Sequence, residues 1–290
     1  MPTSTTPESS AAGRIRVGII GDPVAHSISP AFQQPALDAA GIPATFEKWH
    51  TPLAGLPARV AALREPGALG ACVTVPHKIN VIALLDEIAE SGRLAGAVNT
   101  IVARDGRLIG ENTDHHGFRT SLAESDPAAG TRPALVRGAG GAARAVVLAL
   151  ADLGVPRIVV ANRRPERAEA LADDLPGVSL ELCAMDDASL RRALPGAGLL
   201  VNATSLGWHP GETPLDLSLL GLMPGGAFVA DLTYRDTDLL LAARGRGFGT
   251  LDGLGMLVHQ GARQFSLWTG RDAPLAVMWE AALAARAARA

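Results

Sequence analysis

A chain of 290 residues whose 26 lysines and arginines nearly balance its 29 acids, for a net charge of −3, has no basic stripe for nucleic acid and no polybasic patch for a membrane surface. No segment strings together the about 18 apolar residues of a membrane span, so nucleic acid and membrane are set aside and a small-molecule partner is expected. At about 150 residues per domain the length calls for two domains, and Cys72 and Cys183, each alone in apolar surroundings without CxxC spacing, suit reduced thiols in a cytoplasm.

The opening residues 1–13, "MPTSTTPESSAAG", lack a charged-then-apolar signal pattern and hold Glu8, which argues against a transit peptide; a disordered tail is expected there. After it, short β-branched runs, "RVGII", "ACVTV", "AVNTIV", "RIVVA", "LLVNA" and "FVADL", alternate with Ala/Leu-rich helical stretches, the pattern of βαβ units in an α/β protein with mostly parallel sheet. In "AHSISP", Ser27 and Ser29 are two apart, so an extended loop points both hydroxyls to one side, where they can donate to a carboxylate. Pro30 suits a first helical position, which also makes Ser29 a helix N-cap candidate; Ser27 has no such local reason.

"VTVPHKIN" then holds Lys78, one of only two lysines, with Lys48, among 26 basic side chains. Arg does not release a proton in a protein and a Lys ammonium does, so the choice of lysine here points to proton transfer; the plainer reading is a solvated surface lysine. A helix around residues 115–124 followed by a Pro/Gly/Ala/Asp-rich linker marks one boundary. "TLDGLGMLVHQGARQF" marks another, where strands give way to terminal helices that have no sheet of their own and must pack on a preceding domain.

Between these boundaries lies "ALVRGAGGAARAVVLALADLGVPRIVVANRRPER": a buried strand ending near Arg137, then Gly138, Gly140 and Gly141, a helix, and a second strand. Glycines so placed let the backbone turn tightly and approach a pyrophosphate resting on the helix N-terminus; the alternative is glycines that serve close packing alone. The second strand runs into Asn162, Arg163 and Arg164, with Arg167 one turn on, where an NAD site carries an acid. Guanidinium groups there fit a 2′-phosphate, hence NADP, over the alternative of an ordinary basic helix start, since cations oppose the dipole of a helix N-terminus.

Taken together, "GIIGDPVAHSISP", "VTVPHK", "GAVNT", "ENTD", "GAGGAAR", "NRRPER", "VNATSLG", "DLTY" and "GMLVHQGARQF" resemble, in order and spacing over residues 15–280, the shikimate/quinate dehydrogenases. The resemblance implies an N-terminal substrate domain over residues 14–114, completed by 254–290, with an NADP-binding Rossmann domain over 115–253 and the active site in the cleft. It implies reversible oxidation of shikimate to 3-dehydroshikimate by NADP, a step of aromatic amino acid biosynthesis. Such an oxidation needs a base for the hydroxyl proton and its reverse needs an acid, and the lysine matching Lys78 plays both parts beside the aspartate matching Asp114. Thr74, Asn99 and Gln260 would bind ring hydroxyls and Tyr234 would line the cleft near the carboxylate, although Gln260 is also readable as the polar face of a terminal helix. Gly138, Ala139, Gly140, Gly141 and Ala142, with Thr204 and Gly253, would join Asn162 and the three arginines around the cofactor.

Three positions depart from that pattern. Cys72 stands where an Asn is usual, exchanging one ring-binding amide for a thiol, a weak donor. His115 replaces a glycine after the "NTD" aspartate, and no metal is expected at His115 and His116, because adjacent side chains rarely point the same way. Arg137 stands where an apolar residue or Gly is usual, and either the pyrophosphate or the surface is open to it. Quinate or an amino analogue stays open as substrate, as does a non-catalytic NADP-binding sensor, against which the Lys78 and Asp114 pair argues. No long apolar stripe stands out, so monomer and homodimer both stay open.

Overall fold

The structure is a computed structural model that describes residues 15–289; the expected tail over residues 1–13 lies outside the described residues. Two six-stranded sheets organise it. The first half runs β1 (Ile15–Gly21), α1 (Ser29–Ala39), β2 (Ala44–His50), α2 (Leu56–Ala61), β3 (Ala68–Val73), β4 (Glu87–Ile88), α3 (Glu90–Ala95), β5 (Thr100–Arg104) and β6 (Arg107–Glu111), with strand order β2-β1-β3-β5-β6-β4. Three of its five strand pairings are parallel, while β5 runs antiparallel to both β3 and β6. The β5–β6 reversal is local: Asp105 and Gly106 both take positive φ, 50° and 75°, as a two-residue hairpin turn of the Asp-Gly kind requires.

The second half runs α4 (Asp114–Ser125), β7 (Ala134–Arg137), α5 (Gly141–Asp152), β8 (Ile158–Ala161), α6 (Pro165–Asp174), β9 (Leu180–Cys183), α7 (Asp187–Ala193), β10 (Leu199–Asn202), β11 (Phe228–Asp231), α8 (Asp238–Arg244) and β12 (Gly249–Leu251). This sheet, ordered β12-β11-β10-β7-β8-β9, is parallel throughout. Its central strands are buried on both faces, which explains their continuous apolar runs. One face packs on α5 and α6 through Val136, Val146, Val160 and Leu171, the other on α7 and α8 through Leu135, Val159, Leu190 and Leu240.

The terminal helices α9 (Leu254–Thr269) and α10 (Leu275–Ala287) return to the first sheet, where Val258, Phe265 and Met278 share a core with Val17 and Phe32. Helix α4 joins the halves: Phe118 and Leu122 enter the core beside α5, while Gly117 and Ser121 lie against α9. At Gly117 the approach is backbone to backbone, and a Cβ there would sit 2.6 Å from the Met256 carbonyl oxygen and 2.8 Å from Gln260 Cβ. Overpacking of this kind costs about 1–3 kcal/mol, so Gly117→Ala is expected to lose about that much stability in urea denaturation. Unchanged stability would mean that the helices separate freely.

Candidate active site

Strand β3 ends at Val73, earlier than the run "ACVTV" implies, so Thr74 begins a loop that carries Lys78. That loop is fixed from both sides. His77 is buried with Nε2 2.6 Å from the Thr51 carbonyl oxygen, and Val98 N–H donates to the Lys78 carbonyl at 2.7 Å. The Lys78 side chain, 17% exposed, meets Asp114, 7% exposed, through a direct ion pair between Nζ and Oδ2. Asp114 is the first residue of α4, where Asn112 Oδ1 accepts its backbone N–H at 3.0 Å and Asn112 Nδ2 donates to Ala97 O at 2.9 Å.

The other carboxylate oxygen, Oδ1, accepts from Asn99 Nδ2 at 2.8 Å. Asn99 is clamped in turn, since its Oδ1 accepts from Thr113 N and Thr100 Oγ1, both at 2.8 Å. Gln260 reaches the same cluster from α9: its Nε2 donates to the Leu257 carbonyl and its Oε1 lies 3.3 Å from Asn99 Nδ2. Lys78, Asp114, Asn99 and Gln260, drawn from separate segments, thus form one connected polar group. Thr113 and Asn112 belong to it as well; the "ENTD" run contains both, but only the burial of their side chains reveals their part.

Cys72 lies on the edge of this group. Its thiol is buried and donates to Gln264 Oε1 at 2.9 Å, and Gln264 Nε2 donates onward to Thr100 Oγ1 at 3.0 Å. Burial, with the Asp114 charge, pushes the thiol's pKa well up, so it stays protonated. The thiol that replaces an amide therefore spends its hydrogen bond inside the protein, on a glutamine the sequence does not flag.

The two serines converge as their spacing implies, with Oγ to Oγ at 3.1 Å, but their local roles are exchanged. Ser29 lies within the first turn of α1 and caps nothing, whereas Ser27 Oγ accepts the Ser29 N–H at 3.1 Å. Ser27 thus has the local reason expected of Ser29, because the helix starts one residue earlier than Pro30 indicates. Tyr234, from the loop after β11, reaches this loop too: its hydroxyl donates to the His26 carbonyl at 3.2 Å and its ring packs edge-on against Trp208.

On the second sheet, Gly138 takes φ of +115°, and a Cβ there would lie 2.7 Å from the Ala203 carbonyl oxygen, so close packing as well as turn geometry demands glycine. Ala139 and Gly140 follow, Gly140 extended at the N-cap of α5 with open space around a Cβ, and α5 then begins at Gly141 and Ala142. A Cβ on Gly141 would lie 3.5 Å from Lys78 Cδ, which brings the start of this helix into contact with the proton-transfer candidate. Arg163, Arg164 and Arg167 are exposed at the start of α6, and among the described residues none is held by a carboxylate. Asn162 Nδ2 donates to Arg164 O at 2.8 Å and shapes that corner. A free helix N-terminus approached through glycine, beside unpaired guanidinium groups, fits a dinucleotide with an additional phosphate.

Thr204 Oγ1 donates to Asn202 Oδ1 at 2.7 Å in the loop after β10, while Gly253 packs with a would-be Cβ 2.0 Å from the Leu232 carbonyl, reason enough for its glycine. His115 pairs with Asp152 at 2.7 Å, linking α4 to α5. His116 is exposed on α4 near Arg263, and partial desolvation, with the Arg263 charge, lowers its pKa. No group of three or more His, Cys, Asp or Glu side chains suited to a metal stands together among the described residues. Arg137 is not on the surface: it is 1% exposed, and its Nε and Nη1 are enclosed without a hydrogen-bond partner. Arg144 crosses between the halves, with Nη2 on Asp174 and Nη1 2.9 Å from a would-be Cβ of Gly96, which the sequence alone does not signal.

Family models match in three stretches: the shikimate dehydrogenase substrate binding domain over residues 19–101, shikimate / quinate 5-dehydrogenase over 122–207, and the shikimate 5′-dehydrogenase C-terminal domain over 253–283. The chain is 47% identical to the shikimate dehydrogenase (NADP(+)) of Symbiobacterium thermophilum over 94% of its own length and 95% of the relative's. The chain belongs to the shikimate/quinate dehydrogenase family. Within that family it matches the crystal structure of shikimate 5-dehydrogenase from Thermus thermophilus, in complex with NADP(H) and shikimate, with a TM-score of 0.83 and 41% identity over 93% of this chain and 99% of that one. Quinate dehydrogenase from Corynebacterium glutamicum, in complex with NAD, gives the same TM-score of 0.83 at 34% identity, covering 93% of this chain and 99% of that one. Neighbours on one fold thus differ in both ring substrate and cofactor, and only the residues of this chain separate them.

Proposed function

We propose that the protein is an NADP-dependent dehydrogenase that interconverts shikimate and 3-dehydroshikimate, with residues 14–114 and 254–290 as its substrate domain, 115–253 as its cofactor domain, and a cytoplasmic location suited to its two free thiols. The observation that carries the reading is the Lys78–Asp114 pair, joined to Asn99 and Gln260 and set against the first turn of α5. When bound, NADP supplies the hydride acceptor, and in its reduced form the donor. Lys78 enters the oxidation as the free amine and takes the ring hydroxyl's proton onto Nζ; in the reduction it returns that proton to the forming alkoxide. Asp114 holds Nζ in place, and Asn99 fixes Asp114. Ser27 and Ser29 would take the substrate carboxylate, Thr74, Asn99 and Gln260 the ring hydroxyls, and Tyr234 the wall beside them. Gly138 to Ala142, Thr204 and Gly253 would surround the dinucleotide, and Asn162, Arg163, Arg164 and Arg167 its 2′-phosphate.

The test is kcat/KM for shikimate and quinate, followed by NADPH absorbance. A preference for shikimate is expected, and a preference for quinate would assign the other ring. In Cys72→Asn the amide exchanges a neutral hydrogen bond worth about 0.5–1.5 kcal/mol, so shikimate oxidation is expected to improve several-fold or stay unchanged. A tenfold fall would show a pocket tuned around Cys72 and Gln264 for a different ring.

A further inference from the structure

Arg137 is the last residue of β7, at the centre of the parallel sheet, and it is 1% exposed. Side chains alternate along a strand: Ala134 and Val136 face α5, Leu135 faces α7, and Arg137 therefore leaves the sheet on the Leu135 face. Its Nε and Nη1 have no hydrogen-bond partner. Its register neighbours do not help. Ala161 on β8 has no acceptor side chain, and Asn202 on β10 is committed to Thr204 and Asp231. Asp231, one strand further, is already bonded by Asn202, Thr233 and Thr237. Burial pushes the guanidinium pKa down to about 10, with only Cys183 opposing. Burying an unpaired charge is among the costliest things a fold does, and a buried group left this way calls for a partner from outside the chain.

The position says which partner. Connections on the β7 side of the sheet run through α5 and α6 on one face, and the return to β10 runs through α7 on the other, so the crevice of the sheet opens at the carboxyl ends of β7 and β10. The helix N-terminus that suits a pyrophosphate lies on the α5 face, opposite Arg137. The reacting end belongs near Lys78, which touches Gly141. Arg137 instead sits beside the end of β8, paired with Ala161, one residue before Asn162 and two before Arg163. Since Arg only donates, the group it meets must be an acceptor. We propose that Arg137 anchors the adenosine half of the dinucleotide, donating from Nε and Nη1 to ring nitrogens or ribose oxygens. This inference rests on the NADP reading above.

Calorimetric titration of Arg137→Met and Arg137→Lys with NADP, NAD and 2′,5′-ADP tests it without turnover. In Arg137→Met all three ligands are expected to weaken together by about 10- to 100-fold with the NADP-to-NAD ratio unchanged, as loss of a charge-assisted hydrogen bond to their shared adenosine requires. The ligand-free melting temperature is expected not to fall, because an apolar side chain replaces an unpaired buried charge. Wild-type affinity for all three in Arg137→Met overturns the inference and leaves the NADP reading standing, as does a loss confined to NADP. A wild-type protein that binds neither NADP nor 2′,5′-ADP overturns both. Should Arg137→Met fail to fold, the nitrogen-15 resonance of Arg137 Nε, identified by its absence in Arg137→Lys, decides in the wild type. A shift on addition of 2′,5′-ADP supports the contact, and an unmoved resonance overturns it.

Discussion

Lys78→Ala is expected to lose about 10²- to 10⁴-fold in turnover, the range a general acid/base group contributes, while calorimetric NADP affinity stays near wild type. The split follows from position. Nζ is committed to Asp114 at the start of α4, and only the methylenes approach the cofactor turn at Gly141. Lys78→Arg is expected to be almost as inactive: a guanidinium keeps the charge beside Asp114 but does not release its proton. Turnover comparable to wild type in either variant would remove proton transfer from this side chain and leave it an electrostatic anchor.

Arg163→Ala is expected to weaken NADP by about 10- to 100-fold and leave NAD nearly unchanged, since a charge-assisted hydrogen bond is worth about 1.5–3 kcal/mol and only NADP carries the phosphate that accepts it. Arg163 is exposed and paired with no carboxylate among the described residues, so its loss should leave the melting temperature where it was. Equal losses for both cofactors would overturn the 2′-phosphate assignment. Arg163 and Arg137 can then be told apart by measurement: one variant changes the ratio of the two cofactors, the other their common affinity.

Lys78 and the glycine turn were open to reading because each is a local demand. Lys78 is one of only two lysines among 26 basic side chains, a residue type that a proton-transfer role would need, and strand, glycine, helix and strand in immediate succession over residues 134–161 obey periodicities that need no partner from elsewhere. The Asp105-Gly106 hairpin was equally local, and its signal stands in the sequence. It turns β5 back into an antiparallel β6, in a sheet whose β-branched runs otherwise read as parallel.

By itself, then, the sequence determined an α/β chain and a dinucleotide turn without an acidic ribose partner, and it raised proton transfer as the expectation for Lys78. Only the tertiary structure decided that Cys72 spends its thiol on Gln264, 192 residues away, that Asn99 fixes Asp114, and that Ser27 rather than Ser29 takes a backbone N–H. It alone decided that Arg137 is buried with Nε and Nη1 unpaired. The reason is that burial and hydrogen-bond saturation belong to what surrounds a side chain, and that surrounding is assembled from strands and helices far apart in the chain. Periodicity tells which face a residue takes, but not whether the groups waiting on that face have already been used.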